Sequence, residues 1–368
     1  MRYLDFATIE NFYKQALKKA GVSEEDSAII ADVLLKADQL GIDSHGLNRL
    51  KSIYLDRIKE KVVFPTTNFE IVKESPTTAV VDAHNGMGHV AAKKAMDLCI
   101  SKAKQFGMGM VTVRNSSHFG IAGYYGLMAA EAGMISLCGT NARPSIAPTF
   151  GVENMLGTNP LTFVIPTDEE FPFFLDCATS TSQRAKFEQY AKEGKMLPKG
   201  WVIDENGNSE TDPQKVLEDL VKGHAALTPV GGTGEATGGY KGYGYATVVE
   251  ILSSALQSGA YMKMLMGFDE DGNKVPYRIG HFFLAINVES FTELDKFKKT
   301  TGDILRTLRN SKKMPGKDRI FTAGEKEYET ILQRKTTGVP VNDNLWNELK
   351  EITEEYKLTD FYPIFNIQ

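Results

Sequence analysis

Gly231-Gly232-Thr233-Gly234-Glu235-Ala236-Thr237-Gly238-Gly239-Tyr240-Lys241-Gly242-Tyr243-Gly244 is the densest glycine run of the chain. Glycine permits positive φ and close approach of the backbone to a ligand. Lys241 stands before an expected helix, where an ammonium would complement a phosphate. Yet the run lacks the order of the dinucleotide-binding fingerprint. Gly232-x-Gly234 is followed by Thr237, no clear strand precedes it, and the acid expected about twenty residues later is missing. No Lys-Ser or Lys-Thr pair follows, so it does not match a phosphate-binding P-loop either. The chain has nucleotide-compatible parts without a Rossmann order, and an α/β fold of another kind is expected.

Around this run, over 68–290, strand-like and helix-like segments alternate. Strands are expected at 69–72, 78–82, 109–113, 134–138, 161–165, 171–175 and 281–287, and helices at 91–106, 122–132 and 245–256. The mixture points to α/β or α+β layers with part of the sheet not parallel. The first sixty residues read as helices. Ile9, Phe12, Tyr13, Ala16, Leu17 and Ala20 keep helical spacing, Gly21 stops the run, and Ser23 caps a second stripe of Ile29, Val33, Leu34 and Ala37. A third helix is expected through Leu47, Leu50, Tyr54 and Ile58. Charged helices return at 294–308, 325–332 and 345–358. Helical ends on both sides suggest one helical unit with a sheet domain inserted between them. The stretch 190–212 reads as a long surface loop or arm.

The chain has 368 residues and a formal net charge of -5. Two or three structural units are expected at that length, and no basic field argues for nucleic acid. Three cysteines, Cys99, Cys138 and Cys177, offer no zinc spacing and no disulfide framework. That fits a reducing compartment, and the cytoplasm is expected. No apolar run approaches the roughly 20 residues that span a membrane. His84 and His89 lack further acidic or His ligands at metal spacing, so no metal is expected.

Asp43-Ser44-His45-Gly46, with Arg49 four residues after His45, carries the most chemistry. An imidazole exchanges a proton near neutral pH. A guanidinium grips a carboxylate through two parallel hydrogen bonds. Together they suit a carbon next to a carboxylate, as in a 2-hydroxy or 2-oxo acid; a helix cap or surface pair is the bland reading. Asn115-Ser116-Ser117-His118-Phe119-Gly120 follows a strand, where ligands bind in open sheets, or is a polar turn. Gly139-Thr140-Asn141 and Gly157-Thr158-Asn159-Pro160 look like paired loops with exposed polar groups, able to bond substrate or cofactor, or like Asx turns. Asp176-Cys177-Ala178-Thr179-Ser180 ends a strand. Its acid suits ribose hydroxyls, or its Ser and Thr cap a helix. Cys177 has no activating His in sequence and reads as structural.

Taken in order, these segments, with Met314-Pro315-Gly316 and Arg319, resemble the type 2 malate/L-lactate dehydrogenase family across nearly the whole chain. The family includes malate, sulfolactate and ureidoglycolate dehydrogenases, diketogulonate reductase and piperideine-carboxylate reductase. The resemblance implies a nicotinamide-dependent oxidoreductase with a mixed-sheet, non-Rossmann fold like that of L-sulfolactate dehydrogenase, and a homodimer with sites near the subunit interface. By resemblance, His45 is the acid/base with Ser44 beside it in a relay. Arg49 holds the substrate carboxylate, with Thr158 and His118 as further substrate contacts. His118, Phe119, Gly120, Ile121, Ala122, Asn141, Asp176, Cys177, Ala178, Lys241, Gly242, Pro315, Gly316 and Arg319 correspond to cofactor contacts. Some members carry an Asp a few residues beyond the Asp176-type strand end. Here that stretch reads Gln183-Arg184-Ala185-Lys186, so no third relay carboxylate is assigned.

The expected organisation is a helical domain at 1–67 and 291–368, a substrate-side α/β segment at 68–119 and a nicotinamide-cofactor domain at 120–290. The expected reaction interconverts a 2-hydroxy acid and its 2-oxo acid, malate and oxaloacetate first, with NAD favoured and NADP the alternative. Lactate, sulfolactate, ureidoglycolate or a 2,3-diketo sugar acid would use the same chemistry. A non-catalytic dinucleotide-binding scaffold is a third reading, against which the intact Ser44, His45 and Arg49 argue.

Overall fold

The computed structural model describes residues 2–367. The chain opens with strand β1 (Arg2–Leu4) and helices α1 (Phe6–Lys19) and α2 (Glu24–Gln39). Asp5 accepts a bond from the Thr8 amide and Ser23 from the Asp26 amide. These caps satisfy amides that a helix start leaves unpaired. The third expected helix is irregular: Leu47–Arg49 is a 3-10 turn, Leu50–Leu55 a π-helical turn, and α3 (Asp56–Lys59) a single α turn. The π-helical turn buries the expected Leu50 and Tyr54 and adds Leu55 beside them, a position that plain helical periodicity leaves out.

Then follow β2 (Glu70–Glu74), β3 (Thr78–Asp82), α4 (Gly88–Phe106), β4 (Met108–Ser116), α5 (Ala122–Glu131), β5 (Met134–Thr140), β6 (Leu161–Ile165) and β7 (Phe173–Cys177). Next come α6 (Arg184–Glu193), β8 (Val202–Asp204), α7 (Pro213–Lys222), β9 (Ala225–Leu227), α8 (Gly239–Leu252) and β10 (Ile279–Asn287). The C-terminal part holds α9 (Leu294–Arg309), α10 (Glu325–Thr337), β11 (Val339–Val341), α11 (Asp343–Glu355) and α12 (Tyr362–Phe365).

Seven strands form one mixed sheet in the order β2-β3-β4-β10-β5-β6-β7. β3 and β4 run parallel and the other neighbours antiparallel. A Rossmann sheet is mostly parallel, so this is a different α/β architecture. β10, the last of these seven strands in sequence, lies at the centre with His281 paired to Val113 on one side and Thr140 on the other. One apolar core, from Val33 of α2 through Val113 and Phe174 to Phe283, packs on this sheet. Sheet and core run across residue 120 without a break.

A second core joins the chain ends. Ile9, Phe12 and Leu17 of α1 pack with Leu345, Leu349 and Ile352 of α11 and with Phe361 and Phe365. β1 pairs with β11, Arg2 opposite Val341. The stretch 190–212 departs from the expected surface arm. Leu197 and Val202 are buried with Phe187, Val216 and Leu227 in a small third core, and β8 pairs with β9. Its apolar anchors are too sparse to show a period in a polar stretch. The glycine run leads from the segment after β9 into the first turns of α8. A Cβ on Gly239 would lie 2.0 Å from the Gly232 carbonyl oxygen, and one on Gly242 2.1 Å from that of Val230. Glycine at these two positions lets the loop pack against the helix start. No helix is long and apolar enough to cross a membrane among the described residues.

Candidate active site

The segment carrying His45 is built on the end of α2. Gly41 adopts a φ of 76° and the Ile42 amide returns to the Ala37 carbonyl at 2.9 Å, stopping the helix. The His45 amide then donates to the Ile42 carbonyl at 2.9 Å. Beneath this turn lies Asp38, 1% exposed. Its carboxylate accepts from the Tyr13 hydroxyl at 2.5 Å and the Leu47 amide at 3.1 Å. Burial raises its pKa to about 7 against the pull of those two bonds. A Cβ on Gly46 would lie 1.9 Å from an Asp38 carboxylate oxygen, so glycine lets the turn settle on it. From outside, Arg334 of α10 pairs with both Asp43 oxygens at 2.6 and 2.9 Å and donates to the Asp38 carbonyl at 2.5 Å.

Within the turn, Ser44 Oγ lies 2.8 Å from His45 Nδ1. Arg49 Nε donates to the Ser44 carbonyl at 2.6 Å, which fixes the guanidinium while its two terminal nitrogens have no protein partner among the described residues. Burial and the nearby Arg49 cation lower the His45 pKa to about 4. The second imidazole, His118, follows β4 and stacks on His45. Its Nδ1 faces the Tyr54 hydroxyl at 2.7 Å and the Gly120 amide at 3.3 Å. Burial, then the titratable His45 and His89 rings and the Arg57 and Arg49 cations, push its pKa well down. Both rings are neutral at neutral pH.

A cavity of 320 Å³ gathers residues from distant parts of the chain. The helical unit supplies Ile42, Ser44, His45 and Arg49; the sheet domain supplies Gly120, Ile121, Ala122, Thr158, Pro160, Phe174, Asp176, Cys177 and Ala178. Gln183, Arg184 and Ala185 close it from the start of α6, and Glu327 of α10 forms the remaining wall. Asp176 accepts from the Thr162 hydroxyl at 2.7 Å and from the Gly123 amide at 2.8 Å. Each of its oxygens keeps a lone pair for a ligand hydroxyl. Burial raises the Asp176 pKa, and burial with the neighbouring Asp176 raises that of Cys177, which stays a thiol.

Other expected positions lie outside this cavity. Asn141, fully buried, donates to the Ala260 carbonyl at 3.1 Å and accepts from the Gly280 amide at 2.8 Å. Asn159, also fully buried, donates to Glu250 at 2.8 Å and accepts from the Ala142 amide at 3.1 Å. Asn141 also reaches Glu250, at 3.4 Å. The two similar loops are thus brackets sharing one buried carboxylate, with their amides inside rather than exposed. Phe119 stacks on His281 with centroids 4.4 Å apart. Lys241 and Gly242 sit in the first turn of α8. Pro315 and Gly316 are exposed between α9 and α10, and Arg319 pairs with Glu325 and Glu329. Strand β7 ends at Cys177 and α6 starts only at Arg184, so the Thr179–Ser182 segment is a connection and not a helix start.

Three residues that line the cavity or touch His118 carry no signal in the sequence. Tyr54 passed as one more core residue of an apolar stripe. Glu327 is one acid among many in a charged helix. Arg184 stands in the stretch where some relatives of the resembled family carry an Asp.

The model of one family, described as malate/L-lactate dehydrogenase, matches residues 4–350. The chain is similar to malate dehydrogenase of Pyrococcus abyssi, 43% identical over 93% of this chain and 91% of that protein. It is similar to L-sulfolactate dehydrogenase of Methanocaldococcus jannaschii, 39% identical over 93% of this chain and 94% of that protein. Its fold superposes on the crystal structure of malate dehydrogenase from Entamoeba histolytica with a TM-score of 0.93 and 47% identity, covering 97% of this chain and 98% of that one.

Proposed function

The chain belongs to the malate/L-lactate dehydrogenase family, and from that premise we propose that it interconverts malate and oxaloacetate with NAD. The observation that carries this reading is a single cavity lined by His45, the unpartnered end of Arg49 and the Asp176 carboxylate.

Arg49 holds the C1 carboxylate of the substrate through charge-assisted hydrogen bonds, with Thr158 as a further contact. When His45 Nδ1–H donates to Ser44 Oγ, Nε2 keeps a free lone pair and takes the proton of the substrate hydroxyl. In the reverse direction protonated His45 returns that proton to the oxygen. Substrate binding helps here, because a carboxylate on Arg49 cancels part of the positive field that lowers the His45 pKa. A bound nicotinamide supplies the hydride acceptor for oxidation and the hydride donor for reduction. Its fit rests on the free lone pairs of Asp176 for ribose hydroxyls and on the Gly120–Ala122 and Ala178 walls, which exclude water. Asp176 and Glu327 are both acidic, which favours free hydroxyls over an added phosphate and hence NAD over NADP. Contacts to the rest of the cofactor are assigned by family resemblance to His118, Phe119, Lys241, Gly242, Pro315, Gly316 and Arg319. A cytoplasmic homodimer is the proposed setting; all three cysteines are free.

Sulfolactate is the second substrate reading, supported by the 39% identity to a sulfolactate dehydrogenase. Its carboxylate would use the same clamp. The test is purified protein followed at the absorbance of the reduced nicotinamide, with oxaloacetate, pyruvate and sulfopyruvate, each with NADH and with NADPH. Oxaloacetate with NADH is expected to give the highest kcat/KM. Turnover with sulfopyruvate alone would replace the substrate, and preference for NADPH would replace the cofactor.

A further inference from the structure

Malate carries two carboxylates, and Arg49 accounts for one. Among the arginines and lysines, Arg49 and Arg184 are the two that line the catalytic cavity. Arg184 opens α6 directly after the connection from β7, so its position is set by the same strand end that carries Asp176. Its Nε bonds Glu188 at 3.1 Å on the exposed side of the helix. The two side chains are 53% and 48% exposed, and such an exposed pair is weak and readily exchanged. Neither terminal nitrogen of Arg184 has a protein partner among the described residues. Gln183 gives α6 no side-chain cap, and Gln183 and Ala185 line the cavity beside Arg184.

We propose that Arg184 is the specificity residue that binds the distal carboxylate of a dicarboxylate substrate, opposite the C1 clamp at Arg49. The proposal rests on the 2-hydroxy acid reading and sharpens it to a substrate with an anion at its far end. A monocarboxylate such as pyruvate leaves Arg184 unengaged, so the guanidinium favours oxaloacetate without touching the reacting carbon. Glu327 and Asp176 face the same space. They disfavour an anion placed against them, which leaves the Arg184 side as the place for the second charge.

The test compares Arg184→Leu and Arg184→Lys with the wild-type enzyme on oxaloacetate and pyruvate, and measures NADH affinity by fluorescence. Wild-type turnover of oxaloacetate tests the parent reading by itself; its absence overturns that reading and this assignment with it, whereas the outcomes below bear on the assignment alone. Given that turnover, Arg184→Leu is expected to lower kcat/KM for oxaloacetate roughly 30-fold or more, mainly through KM, as loss of a charge-assisted bond requires. Pyruvate turnover and NADH affinity stay unchanged, and Arg184→Lys recovers part of the loss. Equal losses on both substrates, or weakened NADH binding with an unchanged oxaloacetate-to-pyruvate ratio, overturn the assignment. So does a control in which Arg143→Leu, and not Arg184→Leu, removes the preference. Arg143 lies beside Thr158 and Arg184 in the neighbouring groove, and is the one other arginine of that groove.

Discussion

The imidazoles of His45 and His118 stack with centroids 5.5 Å apart and planes inclined by 25°. The contact divides two roles between two chemically identical groups. An amide can only donate, so the Gly120 amide at 3.3 Å makes His118 Nδ1 an acceptor. The Tyr54 hydroxyl must then donate to that nitrogen as well, and the ring hydrogen of His118 stays on Nε2. His118 is locked as a neutral donor. In the proposed reaction the proton exchanged with the substrate falls to His45, whose Nδ1 faces a hydroxyl that can either give or accept.

His45→Gln is therefore expected to lower turnover by roughly 100-fold or more, with NADH affinity preserved. His118→Gln keeps a donor at the ring's far edge and is expected to cost less. Steady-state rates and fluorescence titration of both variants check this. Near-normal turnover in His45→Gln would move the acid/base role to another group.

The low His45 pKa gives the two directions opposite pH profiles. Oxidation needs neutral His45, which dominates above about pH 4. The kcat/KM for malate is expected to be flat through neutrality as far as this group is concerned, falling only as pH approaches that value. Reduction needs the protonated ring, whose fraction in the free enzyme drops tenfold per pH unit above the pKa. The kcat/KM for oxaloacetate should fall with that slope as pH rises through neutrality. A plateau with a break near the ordinary imidazole value of about 6.5 would show that His45 is not held low.

Stability should weaken in acid for a related reason. His89 and His281 are fully buried, and burial lowers each pKa to about 3. With His45 and His118 also lowered, four rings bind protons more readily unfolded than folded. Their contribution is complete above about pH 6.5 and is lost as pH falls towards the folded values. Asp38 works the other way, since its folded pKa is raised to about 7. Its contribution is present at low pH and lost as pH rises through that value. Asp26, Asp176 and Glu348, also raised by burial, side with Asp38, while the hydrogen-bonded Asp82 and Glu325 are held low and side with the four imidazoles. The balance lies with the lowered groups, so the urea midpoint should drop steadily below about pH 6. His89→Phe, which removes a ring without partners at either nitrogen, should flatten that slope.

Gly46→Ala should damage the site through its foundation. The added carbon would lie 1.9 Å from the Asp38 carboxylate, so either the turn or Tyr13 must move. A cost of about 1–3 kcal/mol in unfolding free energy is expected from overpacking. Turnover should fall by roughly 100-fold, because a small displacement of His45 spoils its alignment. A variant with reduced stability and unchanged kcat would show that the turn yields away from His45.

Much of this arrangement was legible in local patterns. Ser23 announced its helix by capping, and β3 and β6 appeared as short β-branched runs with the bounds they have in the structure. The His45–Arg49 spacing put a proton carrier beside a carboxylate clamp, and the structure lines one cavity with both. What stayed hidden depends on contacts across the chain. Glu250 draws Asn141 and Asn159 inside from 91 or more residues away, and no local signal separates such an Asn from one in an exposed turn. The π-helical turn at Tyr54 shifts a side chain by a fraction of a turn, which periodicity averages away. Glu327 reaches the cavity only because α10 folds back across the sheet domain.

Arg334 of α10 grips Asp43 and the Asp38 carbonyl, and β11 closes on β1, so the turn that holds His45 is finished by an element whose Arg334 follows Asp43 by 291 residues. During synthesis, the catalytic segment leaves the ribosome early but lacks its outer clamp until α10 and β11 emerge. The order of synthesis therefore leaves this turn without Arg334 until the helices beyond β10 are made, long after the turn itself.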